Sequence, residues 1–279
     1  MSSGPPPFPF APPPKNGTGV ATLLDALQMV HQPVFFDLER APQQGPRLFV
    51  SNHSLYALLD FPHFFWTLYR QRGIFLRSLG HSAHFSVPLW RTLMQRYGVV
   101  DASPANCAAL FAAGEAVLVF PGGGREAAKQ HGESYKLRWK QRKGFARMAI
   151  AHGATVVPLA CYGAEHAWEI MRDGPELLAG PAGPLLRRVC RQLGAQPDEI
   201  PPLSFGIGPT PIPRPVRLYF SVGQPINTEH LKGQHDNDDV VWALREQVAD
   251  EIEQQLKRLA VVRNADPLRG FRQRMKSTL

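Results

Sequence analysis

A short and almost continuous apolar segment, Ala116–Phe120 (AVLVF), constrains the fold of this chain more than any other feature. Strands of this kind are buried on both faces, and they occur in parallel sheets that helices cover on either side. Further strand-like segments alternate with helical patterns, at residues 34–38, 47–51, 74–79, 98–100, 154–159 and 216–222. The alternation predicts an α/β fold, with a mixed, largely parallel sheet flanked by helices.

One domain accounts for most of the chain. The 279 residues, of which 44% are hydrophobic, suffice for a single core. We assign residues 1–18 to a disordered Pro-rich tail, 19–262 to the single domain and 263–279 to a basic tail. Within the domain, the Gly- and Pro-rich stretch 174–215 predicts a long irregular connection, and residues 238–259 predict a charged amphipathic helix.

Charge, cysteine usage and hydropathy narrow the class of protein. The net charge of +8 favours anionic partners, but the basic residues are scattered and form no known binding motif, so we expect no nucleic acid partner. The three cysteines form no C-x-x-C pair, which is typical of thiols in a reducing compartment. No apolar run reaches the roughly 18–20 residues of a spanning helix, and a signal-peptide pattern is lacking. We therefore expect a cytoplasmic protein that associates peripherally with the inner face of a membrane.

The first candidate site follows the strand at residues 47–51. It contains Asn52, His53 and Asp60. A histidine at the carboxyl end of a parallel strand lies where α/β folds bind their ligands. A helix beginning near His53 brings Asp60 to the same face two turns later, where its carboxylate fixes the imidazole tautomer and raises its basicity. This spacing predicts a general base; the alternative is that Asn52 and His53 cap a helix.

The second candidate site follows the strand Ala116–Phe120. Three glycines, Gly122, Gly123 and Gly124, expose backbone N–H groups at the start of a possible helix, and Arg125 adds a charged fork. Such a group suits a phosphate or a carboxylate. The alternative is an ordinary glycine turn.

Two further patterns suggest a nucleotide site and a metal site. Gly122, Gly124 and Ala127 match G-x-G-x-x-A, but the acidic residue expected about 20 positions on is replaced by the basic stretch 140–143 (KQRK). The sequence therefore favours an NADP-dependent enzyme less than the other functions. His81 and His84 have the spacing of zinc ligands, but no third ligand is evident, and we expect no metal.

In this order and separation, the two stretches resemble the glycerolipid acyltransferase superfamily, whose first block is N-H-x4-D and whose third is F-P-[EG]-G-x-R. The resemblance covers roughly residues 33–230. Other segments resemble further blocks: 77–90 the second, 143–158 the fourth, and 222–226 the terminal V-G-x-P-I. The motif F-P-G-G-x-R-E resembles most the third block of one branch of the superfamily, that of the phytyl ester synthases and plant diacylglycerol acyltransferases.

The resemblance implies an O-acyltransferase that moves a fatty acyl group from acyl-CoA or acyl carrier protein to a glycerolipid or alcohol hydroxyl. It implies that His53 deprotonates the acceptor with Asp60 as its partner, without a covalent acyl-enzyme and without a cofactor. It also implies a set of substrate-binding residues: Asn52, Arg77, Gly122, Gly123, Gly124, Arg125 and Glu126.

The resemblance leaves the partner of His53, the acceptor and the position of one helix open. The family aspartate falls where this chain has Leu58, so either Asp60 reaches His53 along a rearranged chain, or another group orients the imidazole, or activity is impaired. Gly122 replaces the glutamate of lysophosphatidate acyltransferases, which favours a neutral mono- or diacylglycerol acceptor over a lysophosphatidate-type one. A non-catalytic lipid-binding homologue is a further alternative. The aromatic stretch 61–69 is either a membrane-facing helix or a buried one.

Overall fold

The computed structural model describes residues 12, 14–17, 19–81, 85, 88–192 and 196–278. The strands are β1 (Val34–Phe36), β2 (Arg47–Ser51), β3 (Leu76–Gly80), β4 (Val99–Asp101), β5 (Ala116–Val119), β6 (Thr155–Tyr162), β7 (Glu169–Arg172), β8 (Leu203–Phe205) and β9 (Tyr219–Val222). The helices are α1 (Gly19–His31), α2 (Phe61–Arg72), α3 (Pro88–Arg96), α4 (Pro104–Ala112), α5 (Gly124–Ala127), α6 (Gly144–His152), α7 (Gly174–Ala179), α8 (Gly183–Gln192), α9 (Asp238–Ala265) and α10 (Phe271–Thr278).

The main sheet has seven strands in the order β1-β9-β6-β2-β5-β3-β4. Every neighbouring pair is parallel except β6 and β9, which are antiparallel. This arrangement confirms the predicted mixed, largely parallel sheet. Strands β2 and β5 lie at its centre, where their apolar side chains are buried on both faces.

Two hydrophobic layers cover the sheet, one on each face. Phe49 and Leu118 face a layer that contains Phe64 and Phe65 of α2. The alternate residues of the same strands, such as Leu48 and Val117, face a layer built from α4, α6 and α9. This division follows from the period of two along a strand, which sends successive side chains to opposite faces.

The aromatic stretch at residues 61–69 belongs to the first layer and not to the protein surface. In α2, Phe64, Phe65, Trp66 and Leu68 are each at most 2% exposed. Of the two alternatives for this stretch, the structure therefore shows the buried helix. In the described part of the chain, no helix is both long and apolar enough to span a membrane.

Two expectations about the later part of the chain are corrected. The stretch 174–215 is not simply irregular, since it contains α7, α8 and β8, and β8 pairs antiparallel with β7. The expected tail from residue 263 begins inside α9 and continues into α10, where Arg274 is buried and donates hydrogen bonds to backbone carbonyls of Val30 and Pro215. Most of the predicted N-terminal tail lies outside the described residues, and so does His84.

Candidate active site

The two sequence stretches meet at one edge of the sheet. β2 and β5 are adjacent and parallel, with Val50 opposite Val119, so the residues after both strands leave the sheet side by side. His53 follows β2, and Phe120 follows β5. Their rings stack with centroids 3.9 Å apart and an interplanar angle of 15°. The ring of Phe120 thus fixes the plane of the imidazole.

Asp60 reaches His53, but not along a helix that begins at the histidine. The chain makes a short 3-10 turn at residues 55–57, where Tyr56 and Ala57 have positive φ values of 61° and 58°. Asp60 then caps α2, because its Oδ1 accepts the N–H of Phe61 at 2.8 Å. Its Oδ2 lies 2.5 Å from Nδ1 of His53. The predicted partnership therefore forms through a rearranged turn and a helix cap.

The carboxylate of Asp60 is held in its ionised form. Although burial raises the pKa of Asp60, the charge and hydrogen bond of His53 and the N–H groups of Ser54 and Phe61 lower it overall. An ionised Asp60 accepts a hydrogen bond from the N–H of Nδ1 and leaves Nε2 of the ring as the basic nitrogen. Leu58, at the family's aspartate position, is 55% exposed.

Glu126 holds the backbone of His53 from the protein interior. Its side chain is fully buried, Oε2 accepts the backbone N–H of His53 at 2.7 Å, and Oε1 accepts that of Arg138 at 3.0 Å. Burial raises the pKa of this carboxyl group. Since backbone donors occupy both oxygens, the expected substrate-binding role of Glu126 is replaced by a positioning role.

The glycine at position 122 makes room for that glutamate. A Cβ on Gly122 would lie 2.3 Å from Cγ and Cδ of Glu126, so a larger residue cannot fit while the carboxylate is in place. Gly123 is needed for a different reason, a left-handed φ of 53°. Its N–H donates to the carbonyl of Phe120 at 2.9 Å.

The helix expected after the glycines is only one turn long. α5 spans four residues, too few to supply a substantial helix dipole for an anion. The short turn and the closely packed Gly122 also differ from the long helix of a dinucleotide-binding motif. The structure therefore disfavours the NADP alternative.

A buried ion pair that the sequence analysis missed completes the support of His53. Nζ of Lys129 donates to the carbonyl of His53 at 2.9 Å and to Oε1 of Glu165 at 2.5 Å. The second oxygen of Glu165 accepts the N–H of Tyr135 at 2.6 Å. No local pattern in the sequence marks Lys129 or Glu165, because their partners lie far away along the chain.

Two of the expected substrate-binding residues, Asn52 and Arg77, bond to other parts of the protein. Asn52 is 1% exposed and exchanges two hydrogen bonds with the backbone of Cys161, of 2.9 and 3.0 Å, so it joins β2 to β6. Arg77 is the second residue of β3, where it lies opposite Val117 and pairs with Glu115, the residue before β5. The structure therefore does not bring Arg77 to the edge that carries His53.

Arg125 is at the expected place, beside the glycines. Its Nε donates to Oδ2 of Asp198 at 2.7 Å. Asp198 belongs to a 3-10 turn at residues 197–199, within the stretch that the sequence predicted to be irregular. Within the described residues, no cluster of three or more potential metal ligands occurs.

Comparisons with known proteins show which proteins this chain resembles. The pattern of the family described as Acyltransferase matches residues 33–162. Phytyl ester synthase 2, chloroplastic, of Arabidopsis thaliana is 31% identical over an alignment of 258 residues that covers 85% of this chain and 36% of that protein. The DGAT1/2-independent enzyme synthesizing storage lipids of Bos taurus is 28% identical over 141 residues, which are 50% of this chain and 42% of that protein.

The chain thus spans only about a third to two fifths of the length of these relatives, 36% and 42%. A solved structure is also similar: the 1-acyl-sn-glycerophosphate (LPA) acyltransferase PlsC from Thermotoga maritima, with 15% identity and a TM-score of 0.45. The similarity covers 86% of this chain and 81% of that one.

Proposed function

We propose that this chain transfers a fatty acyl group from a thioester donor to the hydroxyl of a glycerolipid or alcohol, because residues 33–162 match the acyltransferase family and the similar proteins include a phytyl ester synthase. The observation that carries this proposal is the pairing of His53 with the buried Asp60, 2.5 Å apart, at the carboxyl edge of the sheet. This is the geometry of a general base whose tautomer is fixed by a carboxylate.

The proposed reaction uses the two substrates and His53, without a cofactor. Nε2 of His53 takes the proton from the acceptor hydroxyl as its oxygen attacks the thioester carbonyl. The C–S bond then breaks, and the departing thiolate receives the proton from His53. The acyl group passes directly to the acceptor, so no covalent acyl-enzyme forms. We expect backbone N–H groups of the glycine turn to stabilise the oxyanion. The donor is acyl-CoA or acyl carrier protein.

A neutral acceptor, such as mono- or diacylglycerol or a long-chain alcohol, fits this site better than lysophosphatidate. The relatives are named for phytyl esters and storage lipids. Gly122 stands where lysophosphatidate acyltransferases carry a glutamate, and the carboxylate of Glu126 fills the space beside it. Lysophosphatidate is the alternative acceptor, and a lipid-binding homologue without turnover is the alternative to an enzyme.

The test is an acyl-transfer assay with a labelled acyl-CoA and a panel of acceptors: monoacylglycerol, diacylglycerol, a long-chain alcohol and lysophosphatidate. We expect an ester product with a neutral acceptor and none with His53→Ala. An equal rate in that variant contradicts the proposed base. Binding of acyl-CoA without any product favours the lipid-binding homologue.

We place the membrane contact of this protein on α8. This helix carries Leu185 and Val189 one turn apart, 66% and 42% exposed, while its other side bears exposed arginines and no acidic residue. A helix of this kind lies in the interface of an anionic bilayer, with its apolar side toward the acyl chains. Contact of this kind is peripheral, as expected for a protein at the inner face of a membrane.

A further inference from the structure

Three basic side chains surround the glycine turn: Arg125, Lys140 and Arg142. Arg125 is only 15% exposed and follows the glycines directly. Arg142 donates from Nη1 to the carbonyls of Pro121 and Gly122, at 3.1 and 2.8 Å. Guanidinium and ammonium groups so placed are the usual partners of a phosphate. On charge alone, this edge of the sheet suits an acceptor with a phosphate headgroup.

The chain supplies its own anions to these cations. Oδ2 of Asp198 accepts a hydrogen bond of 2.7 Å from Arg125 and another from Lys140. Oε1 of Glu199 lies 3.4 Å from Nη2 of Arg142. Burial raises the pKa of Asp198, but the hydrogen bonds from Lys140 and Arg125 outweigh it and lower the value to about 2. Asp198 is therefore ionised throughout the physiological range.

The turn that carries Asp198 lies against the catalytic segment. Arg125 precedes Glu126, which holds the backbone of His53. A few residues after Asp198, the carbonyl of Pro202 and the hydroxyl of Ser204 bond to the phenol of Tyr56, at 2.7 and 2.6 Å. Arg125 contacts the turn itself, and Tyr56 contacts the residues that follow it. These two contacts hold the Asp198 carboxylate beside the site.

We propose that Asp198 is a specificity-determining residue, which excludes phosphate-bearing acceptors by occupying Arg125 and Lys140. This inference rests on the proposed acyl transfer and names the residue that selects its acceptor. A phosphate approaching Arg125 must displace the carboxylate or remain beside a like charge, and both cost free energy. A neutral hydroxyl acceptor meets neither cost.

The experiment compares acceptors at a fixed donor concentration, because the donor's own phosphates then affect both arms equally. We expect Asp198→Asn to raise the ratio of kcat/KM for lysophosphatidate to that for monoacylglycerol by about tenfold or more, the scale of one charge interaction. Asp198→Glu, which keeps the charge, should leave the ratio within about threefold of that of the wild type. Asp198→Ala serves as a second neutral variant if the asparagine folds poorly.

Asp236→Asn is the matched control. Asp236 also pairs with an arginine, Arg147, at 3.2 Å, so its replacement makes the same change in net charge away from the glycine turn. We expect no change in the acceptor ratio. An equal rise in this variant would show that net charge alone is responsible, and would overturn the proposal. So would an unchanged ratio in Asp198→Asn, or a wild type that prefers lysophosphatidate.

A binding measurement separates this inference from the proposed function. By titration calorimetry, glycerol 3-phosphate should bind Asp198→Asn at least tenfold more tightly than the wild type, and Arg125→Gln added to that variant should remove the gain. If no acceptor is acylated, the proposed function fails while this measurement still decides the role of Asp198. Equal affinity in the variant and the wild type then refutes it.

Discussion

Nδ1 of His53 and Oδ2 of Asp60 lie 2.5 Å apart, although the residue between them that matches the family's aspartate position, Leu58, points to solvent with 55% of its surface exposed. The left-handed turn at Tyr56 and Ala57 brings the chain round so that Asp60 takes the place of that aspartate. The contact between the two side chains therefore forms, although the carboxylate is displaced along the sequence.

Asp60→Asn should lower kcat by about 10²- to 10⁴-fold, because an amide cannot hold the reactive tautomer of His53. The measurement is steady-state acyl transfer, with the melting temperature followed in parallel, since Asp60 also caps α2. Moving the carboxylate to the family position, in Leu58→Asp/Asp60→Asn, should not restore activity. Recovery in that double variant contradicts the assignment of Asp60.

Gly122→Ala should lower the free energy of unfolding by about 1–3 kcal/mol and reduce kcat, because the added methyl group displaces the buried side chain of Glu126. Gly124→Ala is the control on the same turn, where the nearest atom to the new Cβ is 3.1 Å away on the side chain of Glu199. We expect a loss below about 1 kcal/mol there. Equal losses in urea denaturation speak against the role given to Gly122.

Lys129→Met should destabilise the protein by about 3–5 kcal/mol, because Glu165 is left buried without its cation. Adding Glu165→Gln removes the stranded charge and keeps an oxygen for the N–H of Tyr135, so the double variant should recover more than half of that loss. Chemical denaturation of the two variants measures this. If the losses simply add, the ion pair does not have the role described.

The strands at the centre of the sheet could be predicted because their signal is local. Residues 48–50 and 116–120 are all apolar, and they contain the centre of β2 and the whole of β5. His53 and the glycine turn were found in the same way, since each directly follows one of these strands. Their roles in catalysis stay predictions until the variants are assayed.

The supporting residues could not be predicted, because their partners are distant in sequence. Lys129 and Glu165 are 36 residues apart, and Arg125 and Asp198 are 73 apart. Arg77 shows the opposite error: the resemblance placed it at the acceptor site, yet the register of β3 on β5 holds it near the amino ends of these strands. Sequence patterns identify elements, whereas the pairing of side chains depends on the sheet order.

Stability should fall in acid because His63 must stay neutral. Burial, aided by the nearby His31, lowers the pKa of His63 to about 3, and among the described residues neither ring nitrogen has a hydrogen-bond partner. The unfolded chain therefore binds one proton more than the folded one between pH 6.5 and 3. The contribution of neutral His63 to the free energy of unfolding is complete above pH 6.5. It is lost toward pH 3, by up to about 1.4 kcal/mol per pH unit.

His63→Phe tests this, since phenylalanine keeps a buried ring without the basic nitrogens. Urea denaturation at several pH values between 7 and 4.5 should give a smaller decline in stability for the variant than for the wild type. Parallel declines for the two proteins rule out His63 as the source of the acid sensitivity.

Membrane binding should depend on the exposed apolar side of α8. Leu185→Glu/Val189→Glu places two acidic groups where the helix meets the bilayer, so binding to vesicles of neutral and anionic phospholipid should fall by about tenfold or more. The control is Leu89→Glu/Leu93→Glu, because these residues of α3 are also one turn apart and exposed, by 85% and 41%. Co-sedimentation measures both variants. If the α3 variant loses binding and the α8 variant retains it, the contact surface is α3, whereas the acyl-transfer proposal is unaffected.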